Sequence, residues 1–311
     1  MEPIIIEYFS ELYPKRLRNI EKPPSRLYVL GNVEILNEIG IAVVGSRTNT
    51  EYGRKMCKKF VNGLQEYKIN IISGLAFGID SIAHEECLKN SGKTIAVLPS
   101  GLKNICKLTN KILIEEIIKN GGAVISEYEN NIQADSDKFL ERNRIVAGLG
   151  VGTLVVEAGY RSGTSVTARF TNQSKKPVFC VPSSLENKKG ILTNELIQKG
   201  AKLVINAEDI IEELSEINPE IIFRKKEIKQ KNLYFNISPE LLNVYKEITD
   251  EPKDLNQIAR NIGLSISEVN YKTMMLQLED KIIELPGQRF IRNDNEYWKE
   301  MQSKWIKEDL E

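Results

Sequence analysis

The chain has 311 residues, of which 41% are apolar, enough for one large domain with a real core and one small domain. Its 43 basic and 43 acidic residues balance, so bulk charge cannot provide nucleic-acid binding and only local clusters of Lys and Arg could do so. The single histidine and the four widely spaced cysteines argue against a zinc site. No run approaches the roughly 20 apolar residues of a membrane span, and the acidic start is unlike a signal peptide. We therefore expect a cytoplasmic protein with reduced thiols.

Residues 1–38 show little periodicity and are predicted to form an extended lead-in with a short helix near 33–38. From residue 39 onward, short apolar strands alternate with helices. The predicted strands are 41–44, 69–72, 94–98, 123–126, 152–156, 178–181 and 201–204, and the predicted helices lie near 52–67, 79–91, 109–120, 138–148, 164–174, 192–199 and 207–214. This alternation predicts an α/β fold in which residues 39–214 form a doubly wound, mainly parallel sheet.

The pattern changes after residue 214. Residues 215–235 include the basic run 224–231 and are predicted to be a solvated linker, with a phosphate-contacting arm as the alternative. Residues 236–293 show a helix, a glycine turn, a second helix and a hairpin, which predicts a small winged-helix domain. Its 7 basic and 9 acidic residues argue against strong phosphate binding and favour a protein-interaction or accessory role. Residues 294–311 are predicted to be a charged tail, helical or frayed, that Trp298 and Trp305 dock.

Two glycine-bearing turns, residues 45–47 and 73–80, carry the first functional signal. Each follows a predicted strand and precedes a helix, an arrangement in which backbone N–H groups bind phosphate. The candidate binding residues in these turns are Gly45, Ser46, Arg47, Gly74, Phe77 and Gly78. Asp80 is predicted to cap the following helix. Phe77 either stacks on a nucleobase or packs into the core, and the sequence leaves both open.

The first two turns are expected to lie on one rim of the predicted sheet. A predicted helix and a third glycine turn extend this rim. Arg142 and Arg144 are two residues apart and cannot share one helix face, so one is predicted to reach a ligand while the other pairs with Glu141 or another acid. Glu157 lies at the carboxyl end of a strand, where open α/β sheets bind ligands. The candidate binding residues of this segment are Phe139, Arg142, Asn143, Arg144, Glu157, Arg161, Ser162, Gly163 and Thr164.

Catalytic groups are scarce in this sequence. We find no nucleophile–base pair and no metal-ligand cluster, and His84 is predicted to be a surface or packing residue on a helix. The rim offers many donors for phosphate and few groups for proton transfer. This balance favours a path for a strand that carries several phosphates over an active site, and predicts neither catalysis nor a cofactor.

These motifs, taken together, resemble the DNA-processing protein A family, also called DprA or Smf. The resemblance covers nearly all of residues 13–293 and rests on segments 45–47, 73–80, 142–145, 155–158, 162–164, 181–182, 193–197 and 200–201. It implies an extended Rossmann-like domain that binds single-stranded DNA without sequence preference. It also implies a homodimer that loads a RecA-type recombinase, mainly in natural transformation (competence), with no catalytic residues.

The sequence departs from the family pattern at three places. Many members have a helical domain before the Tyr13-Pro14 segment, and this chain is expected to lack it. The position of Phe77 is often basic in relatives, so a phosphate contact is exchanged for stacking or lost. Pro182-Ser183 stands where relatives commonly have Pro-Gly.

Two other classes of function stay open. One is a nucleotide-binding enzyme or sensor of the phosphoribohydrolase-related type, since Gly152, Thr153 and Glu157 loosely match the glycine-rich turn and glutamate of those proteins. Their Pro-Gly-Gly start is missing here. The other is a regulator that binds duplex DNA through the winged helix.

Overall fold

The computed structural model describes residues 2–103, 110–160, 162–217, 237–249, 251–279 and 281–293. The chain divides into two compact units, Met1–Ile228 and Lys229–Glu311, and each is described by itself. The basic run of the predicted linker and the predicted tail, with Trp298 and Trp305, lie outside the described residues.

The first unit is built on a sheet that contains nine strands among the described residues. The strands are β1 (Ile4–Glu7), β2 (Arg26–Gly31), β3 (Gly40–Val44), β4 (Asn70–Ser73), β5 (Thr94–Val97), β6 (Ala123–Ser126), β7 (Thr153–Val155), β8 (Val178–Cys180) and β9 (Lys202–Leu203). Their order is β1-β2-β6-β5-β4-β3-β7-β8-β9. Strands β3 to β9 are parallel, which confirms the predicted fold class.

Helices cover both faces of this sheet. They are α1 (Glu51–Gln65), α2 (Ile79–Lys89), α3 (Lys111–Lys119), α4 (Ser136–Leu149), α5 (Thr164–Gln173), α6 (Ile191–Gln198) and α7 (Glu208–Ile217). Helices α1, α2, α3 and α7 pack on one face, and α4, α5 and α6 pack on the other. The strands alternate accordingly: Val43 faces α1 and α2, whereas its neighbour Val44 faces α4. A sheet covered on both sides explains why its strands are apolar throughout.

The lead-in is more structured than its sequence predicted. Strands β1 and β2 form an antiparallel pair that joins the sheet beside β6, and between them lies a short 3-10 helix, Lys15–Asn19. Tyr13 is fully buried, and its hydroxyl donates to the carbonyl of Pro24 at 2.7 Å. The strands were missed because each is only four to six residues long and the prolines between them indicate extended coil. The short helix predicted near 33–38 is a 3-10 helix at Glu34–Asn37.

The strand order reverses between β3 and β7. From β3 the chain proceeds to β4, β5 and β6 on one side, and β7, β8 and β9 lie on the other. Val44 of β3 is paired with Val155 of β7 at their carboxyl ends. Such a reversal leaves a crevice between the loops that leave the two strands in opposite directions, which is where open α/β sheets bind ligands.

The second unit contains α8 (Leu242–Glu247), β10 (Lys253–Asp254), α9 (Leu255–Ile262), α10 (Ile266–Leu278), β11 (Ile282–Leu285) and β12 (Arg289–Arg292). Its strands form an antiparallel sheet in the order β10-β12-β11. Capping boxes begin both α9 and α10, and Gly263 ends α9 at φ 68°. The predicted helix, glycine turn, helix and hairpin are all present, and the winged-helix assignment itself stays a prediction.

The buried thiols and the single histidine are packing residues. Cys57, Cys87 and Cys180 are buried and free, and burial raises the pKa of both Cys87 and Cys180 to about 12. His84 is fully buried on α2, where its Nδ1 lies 2.6 Å from the hydroxyl of Thr94. Burial, with a smaller effect of the nearby Arg142 charge, lowers the pKa of His84 to about 3. Across the described ranges, no helix is long and apolar enough to cross a membrane.

His84 should make the protein sensitive to acid. The unfolded chain takes up a proton near pH 6.5 whereas the folded protein does so near pH 3, so the stability is complete above pH 6.5 and falls as the pH drops. Because of this residue, the unfolding free energy should be about 2 kcal/mol lower at pH 5.0 than at pH 7.5. Urea unfolding of wild type and His84→Gln at both pH values checks it. Equal pH-dependent losses in the two proteins would contradict the prediction.

Candidate functional site

A polar groove lies over the carboxyl end of β3, at the reversal of strand order. Its volume is about 470 Å³. It is lined by Val44, Gly45, Ser46, Arg47, Ala76, Asp80, Ser136, Phe139, Leu140, Arg142, Asn143, Ser162, Gly163, Thr164 and Thr167. These residues come from the first turn, the loop after β4, α4 and the start of α5. The structure therefore brings the three predicted segments together on one rim.

An apolar pocket of about 220 Å³ adjoins the polar groove. It is lined by Arg47, Gly74, Leu75, Ala76, Phe77, Leu98, Pro99, Ser100, Asn110, Ala134 and Phe139. Both spaces share Arg47, Ala76 and Phe139, and the guanidinium carbon of Arg47 lies 4.7 Å from the centre of the Phe139 ring. This cation–π pair separates the two spaces.

The first two turns pack directly against each other. The N–H of Ile79 donates to the carbonyl of Ser46 at 3.2 Å. Gly78 has φ 83°, and a Cβ there would collide with the Ser46 carbonyl. A Cβ on Gly45 would lie 2.6 Å from Cγ1 of Ile79. These glycines are required by the close approach of the two turns, so the signal in the sequence came from packing as well as from any ligand.

A buried arginine and a buried aspartate lie under the groove. Arg142 is only 3% exposed, and its Nη1 donates to the carbonyls of Gly74, at 2.6 Å, and Val97. The buried carboxylate of Asp80 accepts the N–H of Gly74 at 3.1 Å. Asp80 therefore holds the loop before α2 and does not cap α2 as predicted. Burial lowers the pKa of Arg142 to about 10 and raises the pKa of Asp80, which the Arg142 charge partly offsets.

Neither Arg142 nor Arg144 extends into solvent. Arg142 forms the floor of the polar groove, and the N–H of Gly74 that was expected to face a phosphate is already donated to Asp80. Arg144 is buried on the other side of α4, where it pairs with Glu127. The prediction that one arginine pairs with an acid is met by Arg144, whose acid is Glu127 and not Glu141.

Glu157 joins separate segments of the chain through hydrogen bonds inside the protein. It is 1% exposed, and its Oε2 accepts the N–H of Thr50 at 2.7 Å. Its Oε1 accepts the Thr50 hydroxyl at 2.6 Å and the amide of Asn187 at 3.0 Å. The N–H of Ser46 donates to its backbone carbonyl at 2.7 Å. Because its carboxylate is buried and both oxygens accept hydrogen bonds from Thr50 or Asn187, this residue lies beneath the rim and not on its surface.

The third turn forms the other wall of the polar groove. Gly163 is exposed, and a Cβ there would meet only Cδ2 of Leu140, at 3.8 Å. Asn143 donates to the carbonyl of Gly163 at 3.2 Å, which aligns α4 with the start of α5. The buried Ser162 hydroxyl has no hydrogen-bond partner within the described part of the chain. Arg161, predicted to bind at this turn, lies outside the described residues.

Among the predicted residues that line the two spaces, one cationic and two aromatic side chains are at least partly exposed. Arg47 is exposed and has no carboxylate partner among the residues that the structure describes. Phe139 is half-buried behind it, and Phe77 is 59% exposed at the wall of the apolar pocket. Phe77 is therefore not a core residue. The described residues hold no cluster of His, Cys, Asp and Glu that could bind a metal.

Sequence reasoning missed the far wall of the apolar pocket, which is made by residues 98–100, Asn110 and Ala134. Residues 98–100 follow β5, the neighbour of β4 in the sheet. The predicted strand at 94–98 was a usable signal, because adjacent parallel strands place their following loops side by side.

Comparison with known proteins assigns the chain to a family. The family model for DNA recombination-mediator protein A matches residues 4–215, which is most of the chain. The protein belongs to the DprA family. The match includes β1 and β2 and ends before the second unit.

Several DprA relatives are similar over most of their length. Protein Smf of Escherichia coli K12 is 36% identical over 285 residues, which are 89% of this chain and 74% of that protein. DprA of Streptococcus pneumoniae R6 is 40% identical over 204 residues, 66% of this chain and 72% of that protein.

Two solved DprA structures share the fold. The X-ray structure of DprA from Streptococcus pneumoniae has 36% identity and a TM-score of 0.63, covering 68% of this chain and 74% of that one. DprA from Helicobacter pylori, whose structure describes a single-stranded DNA binding mode, has 31% identity and a TM-score of 0.61. It covers 70% of this chain and 99% of that one.

Substitution should separate the buried arginine from the exposed one. Arg142→Met leaves the carbonyls of Gly74 and Val97 without this donor and removes the charge that partly offsets the burial of Asp80, so we expect a loss of about 2–4 kcal/mol of unfolding free energy. Arg47→Met gives up only the contact with Phe139, about 1 kcal/mol or less. Urea unfolding followed by circular dichroism at pH 7.5 measures both. Similar losses in the two variants would show that Arg142 is not a structural clamp.

Proposed function

We propose that this protein binds single-stranded DNA without sequence preference and loads a RecA-type recombinase onto it, as a recombination mediator in DNA processing and natural transformation. The observation that carries the proposal is the Arg47–Phe139 pair between a polar groove and an apolar pocket. A nucleic-acid strand has phosphates on one side and bases on the other, and the two spaces suit these two sides.

The polar groove supports phosphate binding. Arg47 contributes a guanidinium with no described carboxylate partner, and α5, which is ten residues long, begins directly after Gly163 in the groove wall. The N–H groups of Ser165 and Val166 already donate to the carbonyls of Ser162 and Gly163, so this helix start contributes chiefly the positive end of its dipole, which favours anions. The one carboxylate among the described lining residues is Asp80. The charge of the nearby Arg142 partly offsets the effect of burial on the pKa of this carboxylate. Phosphate contacts of this kind carry no sequence information.

The apolar pocket supports base stacking. Phe77 and Phe139 both contribute aromatic rings to its lining, together with the apolar side chains of Leu75, Leu98 and Pro99. Stacking on aromatic rings is tolerant of sequence because every base has a π-face. The Helicobacter pylori relative, described by its single-stranded DNA binding mode, supports the same ligand for this chain.

Recombinase loading, a homodimer and a cytoplasmic location complete the proposal, and they rest on membership of the family. We assign the second unit a protein-interaction or accessory role, since its 7 basic and 9 acidic residues do not favour phosphate binding.

The phosphoribohydrolase-related alternative is not supported by the geometry. That reaction class would need the Glu157 carboxylate to face a nucleotide. Here the carboxylate is buried and bound by Thr50 and Asn187.

Arg47→Ala should weaken binding of an oligothymidylate and reduce the slope of log affinity against log salt by roughly 0.7 to 1, the contribution of one phosphate contact. It should also reduce RecA assembly on strands coated with single-strand-binding protein. Fluorescence anisotropy at several salt concentrations measures the slope. Lys119→Ala, which removes an exposed lysine at the end of α3, is the matched control. Absence of single-stranded DNA binding by the wild type would refute the proposed function.

Phe139→Ala and Phe77→Ala should each weaken binding by about 1–3 kcal/mol, the value of one stacked base, with the salt slope unchanged. Phe9→Ala removes a phenylalanine that is 90% exposed on the lead-in and should change neither quantity. The same anisotropy titration applies. A change in salt slope in place of affinity would mean that the rings act on Arg47 and not on bases.

A further inference from the structure

A second basic surface lies on α1, outside the polar groove. Helix α1 buries Gly53, Cys57, Phe60, Val61 and Leu64 against the sheet. Its opposite side carries Arg54 and Lys55, both exposed, and Lys58, partly exposed. Lys58 lies four residues after Arg54 and three after Lys55, and side chains at these spacings are neighbours on a helix surface. We call these three cations the α1 basic face.

The α1 basic face has little acidic compensation. The nearest ion pair among the described residues joins Arg54 to Glu51 at 3.8 Å, with both side chains largely exposed. Exposed pairs of this length contribute little. On a chain whose formal net charge is zero, three neighbouring cations with one exposed glutamate beside them favour a polyanionic partner.

The loop that contains Lys188 and Lys189 connects the α1 basic face to the polar groove. Lys189 donates to the carbonyl of Thr48, one residue beyond Arg47. The hydroxyl of Tyr52, in the first turn of α1, donates to the carbonyl of Pro182 at 2.8 Å. Residues 182–189 are therefore held against Thr48 and the first turn of α1, and with Lys188, Lys189 and Glu186 they add a net charge of +1 there.

We propose that a bound single strand leaves the polar groove past Lys189 and continues over the α1 basic face, where its phosphates contact Arg54, Lys55 and Lys58. The inference rests on the proposed function, because it extends the path of the same ligand. It makes the binding site longer than the groove: a short oligonucleotide fills the groove alone, whereas a longer one also reaches α1.

The test compares two oligothymidylates, of about six and about twenty nucleotides, within the range of sizes known for single-strand sites. The triple variant Arg54→Gln/Lys55→Gln/Lys58→Gln keeps good helix formers on the exposed side of α1. For the longer strand, its salt slope should fall by about 2, and its affinity at 0.1 M salt should fall roughly tenfold to a hundredfold. Binding of the shorter strand should stay unchanged.

A second triple variant, Lys22→Gln/Lys119→Gln/Lys175→Gln, removes the same charge from exposed positions elsewhere and should leave both strands unaffected. If it weakens the longer strand equally, net charge and not a path is responsible, and the inference is overturned. It is also overturned if the α1 variant binds the longer strand like wild type. Failure of wild type to bind either strand would instead remove the proposed function.

Discussion

The rim depends on one buried arginine. Arg142 extends from α4 under the loop after β4, where it bonds to the carbonyls of Gly74 and Val97 and lies beside the charge of Asp80. Burying a guanidinium is costly unless its hydrogen bonds and charge are satisfied. In return, the loop is fixed in a shape that the chain would otherwise avoid: Leu75 is held at φ 56°, a conformation unfavourable for a side chain with a Cβ. Without Arg142, the loop that carries Leu75 and Phe77 would lose the hydrogen bond to Gly74 and the link to Val97.

The other two turns are positioned in a similar way, by polar side chains whose hydrogen bonds fix the segments that border the groove. Glu157 fixes Thr50 at the start of α1 and Asn187 in the loop that carries Lys189. Asn143 fixes the start of α5 through Gly163. The predicted binding side chains and Asp80 therefore form two groups. Arg142, Asp80 and Glu157 support the surface from below, and Arg47 with the two phenylalanines forms it.

The sequence predicted the sheet well and the site only in part. Buried parallel strands such as β3, β4 and β6 are apolar runs bounded by turns, and their helices have the right period, so the order of elements was evident. Strands β1 and β2 were missed because short strands between prolines have no distinctive period. At the site, Gly45, Gly74 and Gly78 were found because tight contacts require glycine. The burial of Arg142, Arg144 and Glu157 was not predictable. Their buried partners are distant in sequence, so the local pattern of α4 or of the end of β7 is the same whether the charged side chain faces solvent or the interior.

The stacking of Arg47 on Phe139 has a thermodynamic consequence. An arginine free in solvent samples many rotamers, and fixing it on a ligand costs up to about 2 kcal/mol of side-chain entropy. Here the ring already restrains the guanidinium, 4.7 Å away, with its charge not neutralised by any described carboxylate. Folding has thus ordered the side chain before a phosphate arrives, and less of the attraction is lost on association. A pre-organised cation of this kind gives tight contact with an anion from a single residue, which matters in a chain whose formal net charge is zero.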